Sequence, residues 1–136
     1  MSQLMALLKA NPVSKENEEV YFTTRYTNED GSPVMASVRP MKSKEYYGYK
    51  KKATNIMKKG KVDYDQDAFY KQIVINHTVE PNFRDAKEIA EAGVTTPEQF
   101  VDLFLLAGEV EALAEGIIEI SGFGESIDEL KEQVKN

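Results

Sequence analysis

Aromatic and β-branched residues crowd positions 20–26 (VYFTTRY), a composition that favours a pleated, half-buried strand. Asn28, Glu29, Asp30, Gly31, Ser32 and Pro33 follow as a dense turn signal, in which Asp30-Gly31 supplies the positive φ of a tight reversal. Val34, Ala36 and Val38 then alternate with Met35, Ser37 and Arg39, the period-two pattern of a second strand. Together they predict a β-hairpin over 20–39, which is marginal alone and must pack on something else.

From Ser43 the period changes. Ser43 is the expected N-cap of a helix, with Tyr46, Tyr49, Ala53, Ile56 and Met57 at helical spacing and Gly60 as its stop. Asp65 or Asp67 caps a further helix with Phe69, Ile73 and Val74 on its inner face, closed by Pro81. A short helix over 84–92 stops at Gly93. Thr96-Pro97-Glu98-Gln99 is the sharpest boundary: an N-cap threonine, proline at the first helical position and glutamine at the third. That helix should run to about 107–108. Val110, Leu113, Ala114, Ile117 and Ile118 form the apolar stripe of a last strong helix, ended by Ser121-Gly122-Phe123-Gly124.

The expected fold is α+β and mainly α, one N-terminal β-hairpin packed on a small bundle of about five or six helices. Residues 1–19 read as a leader and linker that dock weakly. Residues 20–124 read as one globular domain, with its hairpin at 20–39 and its helices at 43–121. Residues 125–136 read as a charged tail or short helix. At 136 residues the chain matches the usual size of one domain and suffices for one core. The stretch 100–106 is broken by Asp102 and is far short of a membrane span, and 1–8 lacks the basic region of a secretory signal. No membrane association is expected.

Charge sharpens the picture. The net charge of −6 hides a separation: from 39 to 61 nine bases face Glu45 alone, whereas 84–136 carries thirteen acids against four bases. Such a dipole favours steering by a partner, or self-association. The absence of cysteine removes disulfides, thiol nucleophiles and thiolate metal sites. His77 is the only histidine, and it reads as a structural residue near a helix end. No strand-Gly-x-Ser-x-Gly context offers a nucleophile, and Gly122-Phe123-Gly124 lacks the setting of a phosphate loop. Glu111, Glu115 and Glu119 recur every fourth residue and so line a solvated face; with Glu109 they make no calcium loop. No catalytic residue, metal site or cofactor site is expected, and the chain does not read as an enzyme. Lys44, Tyr46, Tyr47, Tyr49 and Lys50–Lys52 interleave aromatics with bases as nucleic-acid binders do. A single arginine, Arg39, over 39–61 and the acidic balance of the whole argue against it.

The order of features resembles a known family. Arg25, then Glu29-Asp30-Gly31-Ser32-Pro33, then Arg39-Pro40-Met41 lead into Ser43-Lys44-Glu45. Leu105-Leu106-Ala107-Gly108-Glu109 follows much later, then Leu113 and Ile117-Ile118-Glu119-Ile120-Ser121-Gly122-Phe123. This pattern, over about residues 2–124, is similar to the XkdN-like tail assembly chaperones of contractile-tailed phages and prophages. The resemblance implies a non-catalytic protein that binds the tape measure protein in the host cytoplasm during tail morphogenesis and is absent from the mature virion. It also implies tail tube subunits and a longer, frameshifted form of the chain as further partners, and coating a rod favours a homo-oligomer. A minor tail structural or adaptor protein is the first alternative reading. A small nucleic-acid-binding regulator using the patch from Lys50 to Lys61 is the second.

A chaperone for a helical client needs exposed apolar surface. Val101, Leu105 and Ile120 fall off the main stripes, so the second half holds more apolar residues than one seam is expected to require. Leu105, Leu106, Val110, Leu113, Ile117 and Phe123 are therefore expected to contribute to a client groove or to self-association. Plain core is the competing reading of each.

Overall fold

The structure, a computed structural model, describes residues 3–10, 17–56 and 60–123. The leader is helical as α1 (Gln3–Ala10), with Leu4 well exposed. The charged tail expected at 125–136 and most of the linker lie outside the described residues.

The hairpin forms where the turn chemistry puts it. β1 (Glu18–Tyr21) pairs antiparallel with β2 (Met35–Val38), Val20 opposite Ala36. At the tip Gly31 takes φ 88°, and the Asp30 carboxylate accepts from the Ser32 amide at 3.0 Å and the Ser32 hydroxyl at 2.6 Å. The first strand is shorter than the composition of 20–26 predicts. Thr23, Arg25 and Tyr26 leave the sheet because their side chains are drawn to the far half of the chain.

α2 (Ser43–Lys52) is capped one residue earlier than expected, at Lys42, whose amide donates to the Glu45 carboxylate at 3.1 Å. It also stops short of Met57. β-branched Thr54 and Ile56 enter β3 (Thr54–Ile56), which pairs with β4 (Val62–Tyr64). The Thr54 hydroxyl closes the helix end on the Lys50 carbonyl at 2.7 Å. Ile56 fits helical and strand spacing equally, so local periodicity alone does not decide between them.

α3 (Gln66–His77) starts at Asp65, whose carboxylate accepts from the Ala68 amide at 3.0 Å. It carries Phe69, Ile73 and Val74 inward, as predicted. It ends at His77, before Pro81, because the next three residues form β5 (Thr78–Glu80) and pair with β2. The hairpin is thus two strands of a three-stranded antiparallel sheet in the order β1-β2-β5. α4 (Ala86–Glu91) and α5 (Pro97–Phe104) follow, the latter with the Thr96 hydroxyl accepting from the Gln99 amide at 3.2 Å. α5 stops at Phe104; Leu105 is extended, and α6 (Ala107–Ile118) starts afresh. Residues Glu119–Phe123 continue α6 as a π-helical turn that breaks at Gly122, φ 105°.

α3 is the central helix, with α2, α5 and α6 packed around it and α6 also lying against β1. Ala36, Val38, Ile73, Val74, Phe83, Val101, Leu113, Ala114 and Ile117 are fully buried between these elements. No described helix is long and apolar enough to cross a membrane.

His77 is a packed residue, as its place in the sequence implied. It is fully buried, and its Nε2 lies 2.8 Å from the Tyr49 hydroxyl. Nδ1 has no hydrogen-bond partner among the described residues. Burial, with the nearby Arg39 guanidinium, lowers its pKa despite the opposing Glu45 carboxylate. The unfolded chain therefore takes up this proton first as pH falls, so the contribution of His77 is intact above the ordinary imidazole value of about 6.5 and declines below it. Chemical denaturation from pH 7.5 down to 5 should show stability falling with pH, and His77→Gln should flatten that slope. An unchanged slope in the variant would assign it to other groups.

Candidate protein-binding surface

The corner between α5 and α6 is held to the hairpin by a polar cluster. Glu109, at the third position of α6, accepts from the Leu106 amide at 2.7 Å and so caps its own helix. The same carboxylate accepts from the Thr23 hydroxyl and pairs with Arg25, Nη2 to Oε1 at 2.5 Å. Arg25 Nη2 also donates to the Phe104 carbonyl at 3.1 Å, and the Tyr26 hydroxyl donates to it at 2.7 Å. The Tyr26 ring stacks on Phe104, centroids 4.7 Å apart and planes 13° from parallel. The Arg25 bond, helped by the Leu106 amide and the Thr23 hydroxyl, holds the Glu109 carboxyl at about 2 against the opposing effect of burial. Glu109 thus departs from the solvated row: Glu111, Glu115 and Glu119 are exposed, whereas Glu109 is buried. Nothing local reveals the pairing, since 84 residues separate Arg25 from Glu109.

This cluster sits between two clefts. One, of about 530 Å³, lies between Phe22, Tyr26, Val34, Met35, Pro81 and Phe104, with Arg25 on its wall. The other, of about 410 Å³, runs between residues 21–25 and the start of α6, floored by Gly108 and Ala112. Tyr21 and Leu106 flank the second cleft, 64% and 58% exposed. The seam between β1 and α6 then closes where Val20 meets Gly116. A Cβ on Gly116 would stand 3.2 Å from Val20 Cγ1, so the strand approaches as closely as it does because that position is bare. Beyond the contact the seam opens again into a cleft of about 470 Å³ between Glu18, residues 40–43 and Ile120–Gly122. At its far end Phe123, 57% exposed, leans on Tyr46 with centroids 5.1 Å apart.

The six residues expected at a binding surface divide cleanly. Leu105, Val110, Leu113 and Ile117 are core side chains, each at most 6% exposed. Leu105 is buried although it lies off the helical stripes, because its extended backbone between two helices lets it turn inward; Val101 is buried by the packing of α5 on α3. Ile120 is half-buried against the same core. The surplus of apolar residues inferred from periodicity is therefore largely spent inside. Leu106 and Phe123 remain at the surface, one at each end of α6. Tyr21, Arg25 and the small residues Gly108 and Ala112 line the cleft beside Leu106, and no local sequence pattern marks them.

Among the described residues no group of histidine, cysteine and carboxylate side chains is arranged to hold a metal ion. The surface offers exposed apolar area at Tyr21 and Leu106 and one arginine engaged by Glu109. Comparison with known proteins agrees with a protein-handling role. The model of a family described as phage XkdN-like tail assembly chaperone protein matches residues 4–135. The phage-like element PBSX protein XkdN of Bacillus subtilis (strain 168) is 27% identical over 139 residues, covering 98% of this chain and 93% of that protein. The protein YqbN of the same organism is 29% identical with the same coverage. The crystal structure of a protein YqbN superposes with a TM-score of 0.66 at 20% identity, covering 90% of this chain and 98% of that one, so the fold is shared.

Proposed function

We propose, from the premise that this chain belongs to the family of phage XkdN-like tail assembly chaperones, that it holds the tape measure protein during tail assembly without catalysing a reaction. The observation that supports this reading is the seam along α6. Leu106 and Phe123 stand 17 positions apart, roughly 25 Å at the helical rise of about 1.5 Å per residue. Clefts adjoin both, a mostly apolar one beside Leu106 that Tyr21 widens and a mixed one beside Phe123 that Met41, Tyr46 and Tyr47 line. A long amphipathic helix lying along the seam would meet an apolar foothold every few turns, the pattern of helix-in-groove recognition. Tail tube subunits would displace the chaperone as they polymerise, leaving it in the host cytoplasm and outside the finished particle. A longer, frameshifted form of the chain would share the same seam.

Co-expression with the tape measure protein tests this. The wild-type chain should co-purify with it. Leu106→Lys combined with Tyr21→Lys should weaken capture at least roughly tenfold, about 1.4 kcal/mol, with the melting temperature nearly unchanged because both side chains are mostly in solvent. Full capture by that folded variant would move the binding surface elsewhere, and no capture by the wild type would remove the tape measure protein as client.

A further inference from the structure

α1 is a short apolar helix that the rest of the described fold leaves without a seat. Leu4 and Leu7, three positions apart and so on one face, are 78% and 53% exposed, and no other described element packs extensively against α1. Eight residues are too few for a helix to be stable alone in water, so α1 needs a surface to lie on. It carries Lys9 and no acid, and Lys9 has no ion pair among the described residues. The cleft beside Tyr21 and Leu106 offers what α1 lacks. Its floor of Gly108 and Ala112 lets a helix come close, and its two flanking apolar side chains stand mostly in solvent. Glu111 and Glu115 border Ala112 on α6, exposed and without an ion pair among the described residues. The cleft is also within reach. Tyr21 lies roughly 10 Å along β1 from Glu18, and the residues 11–17 that join α1 to β1 can span up to roughly 25 Å.

We infer that α1 seats in the cleft beside Tyr21 and Leu106 of its own chain, with Leu4 and Leu7 against those two side chains and Lys9 toward Glu111 and Glu115. The exposed α1 of this structure is the released form, in exchange with the seated one. The contact is small, but the tether favours it, since a short linker holds α1 at an effective concentration in roughly the millimolar range. Seated, α1 covers the apolar area that a client helix would use, and the client meets a cleft that must first be vacated. With α1 in place about two-thirds of the time, the apparent affinity for the client falls about threefold. The seating needs no client; only the competition rests on the function proposed above.

The chain has no cysteine, so an engineered pair reports the seating without background. Gln3→Cys with Ala112→Cys leaves Leu4, Leu7, Tyr21 and Leu106 in place. Oxidised at low protein concentration, it should close a disulfide within one chain at least roughly fivefold faster than Gln3→Cys with Tyr47→Cys, where the second position is exposed but lies on α2. Adding Leu4→Lys and Leu7→Lys to the first pair should bring its rate down to that of the second. Equal rates at positions 112 and 47 overturn the inference, as does a rate indifferent to the two lysines. A disulfide that forms only between chains overturns it too. In the full chain without cysteines, Leu4→Lys with Leu7→Lys should lower the tape measure concentration needed for half-capture about threefold. Weaker capture would place α1 within the client's own site and overturn the competition. Selective cross-linking with unchanged capture would uphold the seating and move the client off this cleft.

Discussion

Leu113→Ala should lower the free energy of unfolding by about 2–5 kcal/mol, the range for emptying a leucine site in a packed core. Leu113 has no exposed surface and sits where α6 crosses α3, so the vacated volume has rigid walls on both sides. At about 4 °C per kcal/mol for a chain of this size, the midpoint of thermal unfolding should fall by roughly 8–20 °C, read by circular dichroism. The measurement also separates two roles. Below its lowered midpoint, folded Leu113→Ala should capture the tape measure protein as the wild type does. Leu106→Lys combined with Tyr21→Lys should do the opposite, keeping the midpoint and weakening capture. A fully folded Leu113→Ala protein that no longer captures the client would show that this side chain reaches the binding surface after all.

Glu109→Ala is the second large effect, expected to cost about 2–3 kcal/mol, since one carboxylate serves as acceptor for Thr23, Arg25 and the Leu106 amide together. Its removal strips α6 of its cap and lets the hairpin part from the α5–α6 corner. The pH dependence has a definite sign. The carboxyl is held at about 2 in the folded chain against an ordinary value of 4.5, so its contribution is complete above pH 4.5 and disappears as pH falls toward 2. Because Arg25 is 41% exposed and the pair is partly screened, that acid-labile contribution is about 1–3 kcal/mol. Urea midpoints of wild type and variant should therefore converge between pH 4.5 and 2. Parallel midpoints through that window would mean that the pair contributes nothing net. The loss assigned to His77 lies higher, from about pH 6.5 downward, so the two groups are separable in one titration.

Features decided by short stretches of chain were legible in the sequence. Thr96 and Asp65 cap helices because a side-chain oxygen reaches an amide two or three residues on. Gly31 turns the hairpin because it can take positive φ, and Phe69, Ile73 and Val74 share a face at helical spacing. Elements defined by distant partners were not. β5 is three residues following a helix without a break, and nothing in Thr78, Val79 and Glu80 announces that Val38 waits beside them. β3 and β4 are as short, and Ile56 suited the period of the preceding helix. The same divide runs through the binding surface. Periodicity marked α6 as greasy but not how many neighbours crowd it, so Leu105, Val110, Leu113 and Ile117 read like Leu106 until β1, α3 and α5 were in place around them. Arg25 and Glu109 pair across most of the chain, beyond the reach of any local rule.

The passage from α3 into β5 occurs at His77–Thr78 with no residue between, and both sides of that joint are pinned to the end of β2. The Arg39 amide donates to the His77 carbonyl at 2.9 Å, and the Arg39 guanidinium to the Asn76 carbonyl at 2.9 Å. Helix and strand are thus a single bent shaft with its elbow clamped. A sideways load on α3, applied through α2 or α6, reaches the margin of the sheet directly and has no slack loop in which to dissipate.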